Sequence, residues 1–218
     1  MTQIKAILFD LDGTLADTAL DLGGALNTLL RARGLPEQSI EAVRPIAGLG
    51  SGALISLGFG IEADHPEHER LKQAFLDEYQ QNFKRDTVLF EGINEMLTAL
   101  VAKGYVWGII TNKHARFTDR LVPSLGFSVP PAVVVSGDTT AEAKPSTKPM
   151  LYACAKLGMA PEACLYVGDA LRDIEAGRNA GMKTVLVNWG YFTAAEAPDT
   201  WGADWRIDAA SELLSLVV

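Results

Sequence analysis

The sequence predicts an α/β protein: a doubly wound, Rossmann-like core of parallel strands with a small helical cap domain inserted near its start. Three observations lead there. Short apolar runs recur at Ile4–Phe9, Tyr105–Ile110, Ala132–Val135, Cys164–Val167 and Lys183–Val187. Amphipathic helical patterns separate them, and that alternation builds a parallel sheet with helices on both faces. Between residues 16 and 86 the alternation fails, and every pattern there is helical.

Ile4–Phe9 reads as a strand buried in the core. It ends at Asp10-Leu-Asp12-Gly13-Thr14, which sets two carboxylates at the edge of the core, a costly place for charge without a partner. The helical stretch opens with Thr18-Ala-Leu-Asp21, a capping-box pattern with Asp in the acidic position. Leu22, Leu26, Leu29 and Leu30 then form one apolar face, and Gly34-Leu-Pro36 ends that helix. Farther on, Leu71, Phe75, Tyr79 and Phe83 make a stripe at i, i+4, i+8 and i+12, expected to be core and not a ligand surface. The expected domains are an α/β core of residues 1–15 and 87–218 and a helical cap of residues 16–86. Beyond the insert, Ile93, Met96, Leu97, Leu100 and Val101 mark one face of a helix that ends with Lys103 in its last turn and Gly104 as its stop. Trp107 is expected in the core, with Trp201 and Trp205 covering the sheet. No internal repeat or low-complexity segment is present.

The chain has 218 residues, 48% of them hydrophobic and 21% charged, enough to bury a full core and to spare length for an insert. A net charge of −8 argues against nucleic acid or an anionic membrane as the main partner. A small anionic substrate stays compatible, because a metal or a local basic group can hold it. No apolar run approaches the ~20 residues that a membrane span requires. Aspartates interrupt the N-terminal apolar stretch where a secretion signal would continue. Cys154 and Cys164 lie ten residues apart without a Cys/His cluster, so free thiols in a reducing cytoplasm are expected and zinc is not.

In an open parallel sheet, ligands bind beyond the carboxyl ends of the strands, where neighbouring connections diverge. Four such ends here carry polar groups: Asp10 and Asp12, Thr111 and Asn112, Lys144, and Asp169 with Asp173. Each set follows an apolar run, so all four are expected at one edge of the sheet. Carboxylates crowded there repel, at about 4 kcal/mol for two unit charges ~4 Å apart in an effective dielectric of ~20. A divalent cation relieves that repulsion, and ligands that are all oxygen favour a hard ion, Mg²⁺ first. A carboxylate is also a competent nucleophile toward phosphorus, and a second one serves as proton donor and acceptor. Lys144 and the Thr111 hydroxyl would neutralise and orient phosphoryl oxygens.

This constellation resembles the haloacid dehalogenase superfamily of phosphohydrolases. The resemblance rests on Asp10-Leu-Asp12-Gly13-Thr14, Thr111-Asn112, Lys144-Pro145 and Gly168-Asp169 with Asp173, in that order over most of the chain. It implies Asp10 as nucleophile, Asp12 as acid/base, and Thr111, Asn112 and Lys144 as phosphate binders. It implies a Mg²⁺ site at Asp10, Asp12 (through its main-chain carbonyl) and Asp169, supported by Asp173. An aspartate in the last motif sets the chain apart from the true dehalogenases, which need no metal. "KPSTKP" lacks the middle proline of the usual run, but Lys144 itself is kept. Within the superfamily, "WGIITNK", "GDALRDIEAGRNAGM" and "NWGYF…WGAD" are similar to phosphatases of phosphoglycolate and of sugar phosphates, N-acetylmuramic acid 6-phosphate among them.

The expected function is therefore Mg²⁺-dependent hydrolysis of a small organic phosphate, 2-phosphoglycolate first, through an aspartyl-phosphate, by a cytoplasmic monomer or homodimer. A phosphosugar mutase shares all four motifs, and a phosphate-sensing module without turnover is the non-enzymatic alternative. Bland readings stand beside the sharp ones. Asp-Gly is a common turn pair, and Asp173 sits where a helix cap is needed. "GLGSGA" at residues 48–53 formally fits a dinucleotide motif, but it lies inside the helical insert after Pro45. A cap loop facing the site is expected instead, with Gly48 and Gly50 near the substrate and Arg44 available to its carboxylate. His65 and His68 flank Pro66 in a charged stretch and are expected in a surface loop, whereas His114 follows the second motif toward the site.

Overall fold

The computed structural model describes residues 3–217. Its first part contains β1 (Ala6–Phe9), β2 (Ala16–Asp17), α1 (Ala19–Arg31), α2 (Ile40–Ala47), α3 (Ser51–Phe59), α4 (His68–Asn82) and β3 (Val88–Leu89). There follow α5 (Ile93–Ala102), β4 (Val106–Ile110), α6 (Ala115–Ser124), β5 (Val134–Val135), α7 (Lys148–Leu157) and β6 (Cys164–Gly168). The chain closes with α8 (Leu171–Asn179), β7 (Lys183–Val187), β8 (Trp205–Ile207) and α9 (Leu213–Leu216).

Six strands form one sheet in the order β5-β4-β1-β6-β7-β8, and every neighbouring pair is parallel. β1 lies in the middle, with Ala6 opposite Val106 on one side and Cys164 on the other. The chain moves outward from β1 through β4 to β5, then returns to β6 on the other side of β1. That reversal opens a crevice at the carboxyl ends of the central strands. Both sheet faces are covered. Ile7 and Phe9 pack with Trp107, Ile109, Leu165 and Val167, while Ala6 and Leu8 pack with Ile110, Met150, Cys154 and Tyr166.

α1 packs against α2, α3 and α4, burying the expected face Leu22, Leu26, Leu29 and Leu30. Close approach of α3 to α1 depends on Gly58, since a Cβ there would lie 2.7 Å from Leu26 Cδ1. The stripe Leu71, Phe75, Tyr79 and Phe83 is buried, and the Tyr79 ring lies 5.2 Å from that of Phe117 on α6. β2 and β3 pair antiparallel, Ala16 with Leu89 and Asp17 with Val88. The all-helical expectation for residues 16–86 thus misses β2, because two residues carry no periodicity.

Three further expectations need correction. The capping box at Thr18 does not form: the Thr18 hydroxyl donates to Asp12 Oδ1 at 2.7 Å. Asp21 instead accepts from the Asp86 and Thr87 amides, each at 2.9 Å, and from the Thr87 hydroxyl at 2.6 Å. It ties the start of α1 to the chain leaving α4. β8 was not expected, because Trp205 and Arg206 are exposed on an edge strand and leave no apolar run. Trp205 is therefore part of the sheet, while Trp201 packs over it beside Ile174 and Leu186. Among the described residues no helix is long and apolar enough to cross a membrane.

Candidate active site

β1 ends by delivering Asp10, whose amide continues the sheet by donating to Val167 O at 2.9 Å. The buried Asp10 carboxylate accepts from its neighbour's amide, Leu11, at 2.8 Å. Lys144 arrives from the loop after β5, and its ammonium lies 2.9 Å from Asp10 Oδ1 and 2.7 Å from Asp173 Oδ1. The same ammonium donates to Ile110 O at 2.9 Å and to the Tyr166 hydroxyl at 2.8 Å, so its position is fixed. Asn112 clamps the Lys144 main chain, its Nδ2 donating to Lys144 O at 2.9 Å and its Oδ1 accepting from Lys144 N at 3.0 Å. The Asn112 amide expected to bind phosphate therefore holds the lysine. Thr111, at the end of β4, is buried at the edge of the cavity described below.

Asp169 and Asp173 flank the β6–α8 turn and are fully buried. Asp173 does what a cap does and more: its Oδ2 accepts from Ala170 N at 3.0 Å while its Oδ1 faces Lys144. Asp169 accepts from the Thr14 hydroxyl at 3.2 Å and from the Tyr191 amide at 2.7 Å. Two glycines make room for it. A Cβ on Gly190 would lie 2.1 Å from Asp169 Cβ, and one on Gly13, whose φ is +81°, 2.2 Å from Asp169 Oδ2. One oxygen each from Asp10, Asp169 and Asp173 falls within 4.8 Å of the others. Burial, with the charges of Asp173 and Asp10 added, pushes the Asp169 carboxyl up to about 7. Burial also raises Asp10, although Lys144 offsets part of the shift.

The Asp12 side chain stands apart from that trio. Its Oδ1 accepts from the Thr18 hydroxyl at 2.7 Å and from Lys113 Nζ at 3.0 Å. Lys113 carries no role in the sequence expectation, although it directly follows the Thr111-Asn112 motif. Burial alone disfavours its charge, but Asp12 and Tyr79 outweigh that and hold its pKa above the ordinary value. Its ammonium sits 4.8 Å from the centre of the Tyr79 ring, joining the floor of the site to α4.

A cavity of about 390 Å³ opens above Asp10, Asp12, Thr111 and Asn112. Gly48 and Gly50 line it, as expected of the glycine loop, and so does the exposed His114. Phe75 and Tyr79 line it too, so the stripe on α4 is both core and cavity wall. Arg44 does not line it; Asp17 Oδ2 holds its Nη1 at 2.8 Å, beside the Tyr191 ring. His68 corrects another expectation. It begins α4, is buried, lines the cavity, and places Nε2 3.3 Å from Gly52 O, whereas His65 is exposed. Arg172, which no periodicity or motif marks as part of the site, reaches the cavity from the first turn of α8.

Parallel-sheet topology, carboxylates at the central strand ends and a lysine between them define a class of hydrolase. The family model for haloacid dehalogenase-like hydrolases matches residues 7–187, and the chain belongs to that family. It is 40% identical over 215 residues to an N-acetylmuramic acid 6-phosphate phosphatase of Pseudomonas aeruginosa, covering 99% of this chain and 95% of the relative. It is also 40% identical over 209 residues to a phosphoglycolate phosphatase of Xanthomonas campestris, covering 96% and 94%. Among solved structures, one described as a predicted phosphoglycolate phosphatase from Haemophilus somnus superposes with a TM-score of 0.85 at 30% identity over all of both chains. A haloacid dehalogenase-like hydrolase of Streptococcus pneumoniae gives 0.84 at 22% identity over all of both chains, a likeness of fold.

Proposed function

We propose that the protein is a phosphomonoester hydrolase that forms an aspartyl-phosphate on Asp10 and requires Mg²⁺. The observation that carries this reading is Lys144 between Asp10 and Asp173, with Asp169 beside them, at the crevice edge of β1 and β6. The donor set fits a hard divalent cation: the Lys144 ammonium pairs with Asp10 and Asp173 but not with Asp169, which burial and the charges of Asp173 and Asp10 drive toward neutrality in spite of Arg172 nearby. Asp10, Asp169 and Asp173 would hold the ion, with the Asp12 main-chain carbonyl. When bound, the ion supplies charge neutralisation to the phosphate and to the carboxylates around it.

The residues of the chain divide the remaining work. An Asp10 oxygen attacks phosphorus and the ester oxygen leaves, taking a proton from Asp12. Water then attacks the aspartyl-phosphate, giving its proton to Asp12 and releasing inorganic phosphate and the Asp10 carboxylate. The Thr18 and Lys113 contacts hold Asp12 at the cavity floor for both transfers. Lys144 and Thr111 orient the phosphoryl oxygens. Residues 16–86 act as the cap over a core of residues 1–15 and 87–218, shielding the phosphoenzyme from bulk water.

Both curated relatives above are named for substrates that combine a phosphate ester with a carboxylic acid. 2-Phosphoglycolate and N-acetylmuramic acid 6-phosphate are accordingly the candidate substrates. The cavity volume favours the second, since a two-carbon acid leaves most of 390 Å³ unfilled. A cytoplasmic setting accords with the buried free thiols of Cys154 and Cys164. The test is phosphate release from these two compounds, hexose phosphates, nucleotides and an aryl phosphate, with Mg²⁺ and in chelator. Release of phosphate that needs Mg²⁺ and Asp10 supports the proposal; release in excess chelator, or isomerised product without free phosphate, defeats it.

A further inference from the structure

The geometry points to Arg172 as the specificity-determining residue of the cavity, a cation that grips a carboxylate carried by the substrate in addition to its phosphate. This rests on the phosphatase reading above. Arg172 is the second residue of α8, directly before Asp173. While Asp173 turns inward to Lys144, Arg172 lines the cavity and reaches the glycine loop between α2 and α3. Its Nη2 would lie 3.8 Å from a Cβ on Gly48. It therefore stands between the catalytic floor and the loop above it, where the part of a substrate beyond its phosphate must lie.

What singles it out is the lack of a partner. Among the described residues, the two lysines lining the cavity are paired, Lys113 with Asp12 and Lys72 with Glu69. Arg172 has no ion pair within 4.0 Å and no hydrogen bond among those residues. Arg172 is half-buried, and a guanidinium partly withdrawn from water without a direct anionic partner is costly. The charges of Asp173, Asp10 and Asp169 favour its protonated form from a distance, but none reaches it directly, and the cavity walls beyond the catalytic floor, Leu22, Leu54, Phe75, Leu76 and Phe117, are apolar. The phosphate position already has Lys144 and Thr111, so the guanidinium, with no hydrogen bond of its own among the described residues, is available to a second anionic group. A guanidinium fork suits a carboxylate, which it can hold through two parallel hydrogen bonds.

Matched substrate pairs that differ in the carboxylate test this directly. 2-Phosphoglycolate is compared with ethyl phosphate, and N-acetylmuramic acid 6-phosphate with N-acetylglucosamine 6-phosphate. The wild type should favour the acid in whichever pair it turns over. Arg172→Gln should lower the acid-to-neutral ratio of kcat/KM by about ten- to a hundredfold, mostly through KM, and Arg172→Lys should restore part of it. An unchanged ratio overturns the assignment, whether both substrates lose activity together or neither does. If Arg172→Gln does not fold, the wild-type ratio still decides, because no preference for the acid sinks the proposal. Failure of the underlying reading looks different: the wild type would then release phosphate from none of the four compounds, nor from an aryl phosphate.

Discussion

Tyr191→Phe removes one oxygen atom from the junction between the loop after β7 and the start of α1. The Tyr191 hydroxyl accepts from the Thr18 amide at 2.7 Å and the Ala19 amide at 3.0 Å, and donates to Asp17 Oδ1 at 2.8 Å. Ala19 retains Asp17 Oδ1 at 3.4 Å, and Asp17 retains Arg44. Thr18 is fully buried, and its amide loses the hydroxyl that accepts from it. Leaving a buried donor unsatisfied costs about 1–3 kcal/mol, and losing a hydrogen bond to a carboxylate adds about 1–2 more. The expected loss is about 2–5 kcal/mol, or roughly 4–20 °C in Tm for a chain of this size. Urea unfolding followed by tryptophan fluorescence measures it, with the midpoint falling and the slope preserved. A loss below about 1 kcal/mol would refute the reasoning, because the hydroxyl would then carry no buried junction.

Asp169→Asn should raise the Mg²⁺ concentration for half-maximal activity, read from a metal titration of phosphate release. Gly190→Ala should raise it too and also destabilise the fold by about 1–3 kcal/mol, since its Cβ would overlap Asp169 Cβ at 2.1 Å. In chelator, folded Asp169 keeps its proton up to about pH 7, whereas the unfolded chain releases it near the ordinary value of 3.8. Stability of the metal-free protein should therefore fall as pH rises across that window, and Asp169→Asn should flatten the fall in a series of urea midpoints. Asp12→Asn should slow turnover by roughly 10²–10⁴-fold, measured as kcat on an aryl phosphate.

The meeting of Asp10, Lys144, Asp169 and Asp173 at one sheet edge was legible because the chemistry-bearing residues follow apolar runs that form adjacent parallel strands. β6 sits beside β1, and so its terminal Asp169 lies near Asp10. What stayed hidden depends on partners far apart in sequence. Lys113 meets Asp12 across 101 positions and Tyr191 meets Asp17 across 174, and neither pair leaves a periodic trace. Asn112 was legible as part of a motif, but its hold on Lys144 shows only in three dimensions. His68 sits in a charged stretch that reads as surface, yet the packing of α4 against α3 buries it.

The central claim is that Asp10 becomes phosphorylated during turnover. Quenching the enzyme during steady turnover of an aryl phosphate and reducing it with borohydride converts an acyl phosphate at aspartate into homoserine, which peptide mass spectrometry locates. Homoserine should be found at position 10 of the wild type, only when substrate and Mg²⁺ were both present, and nowhere in Asp10→Asn. Steady phosphate release with Asp10 recovered unmodified, or with the mark on another carboxylate, would contradict it.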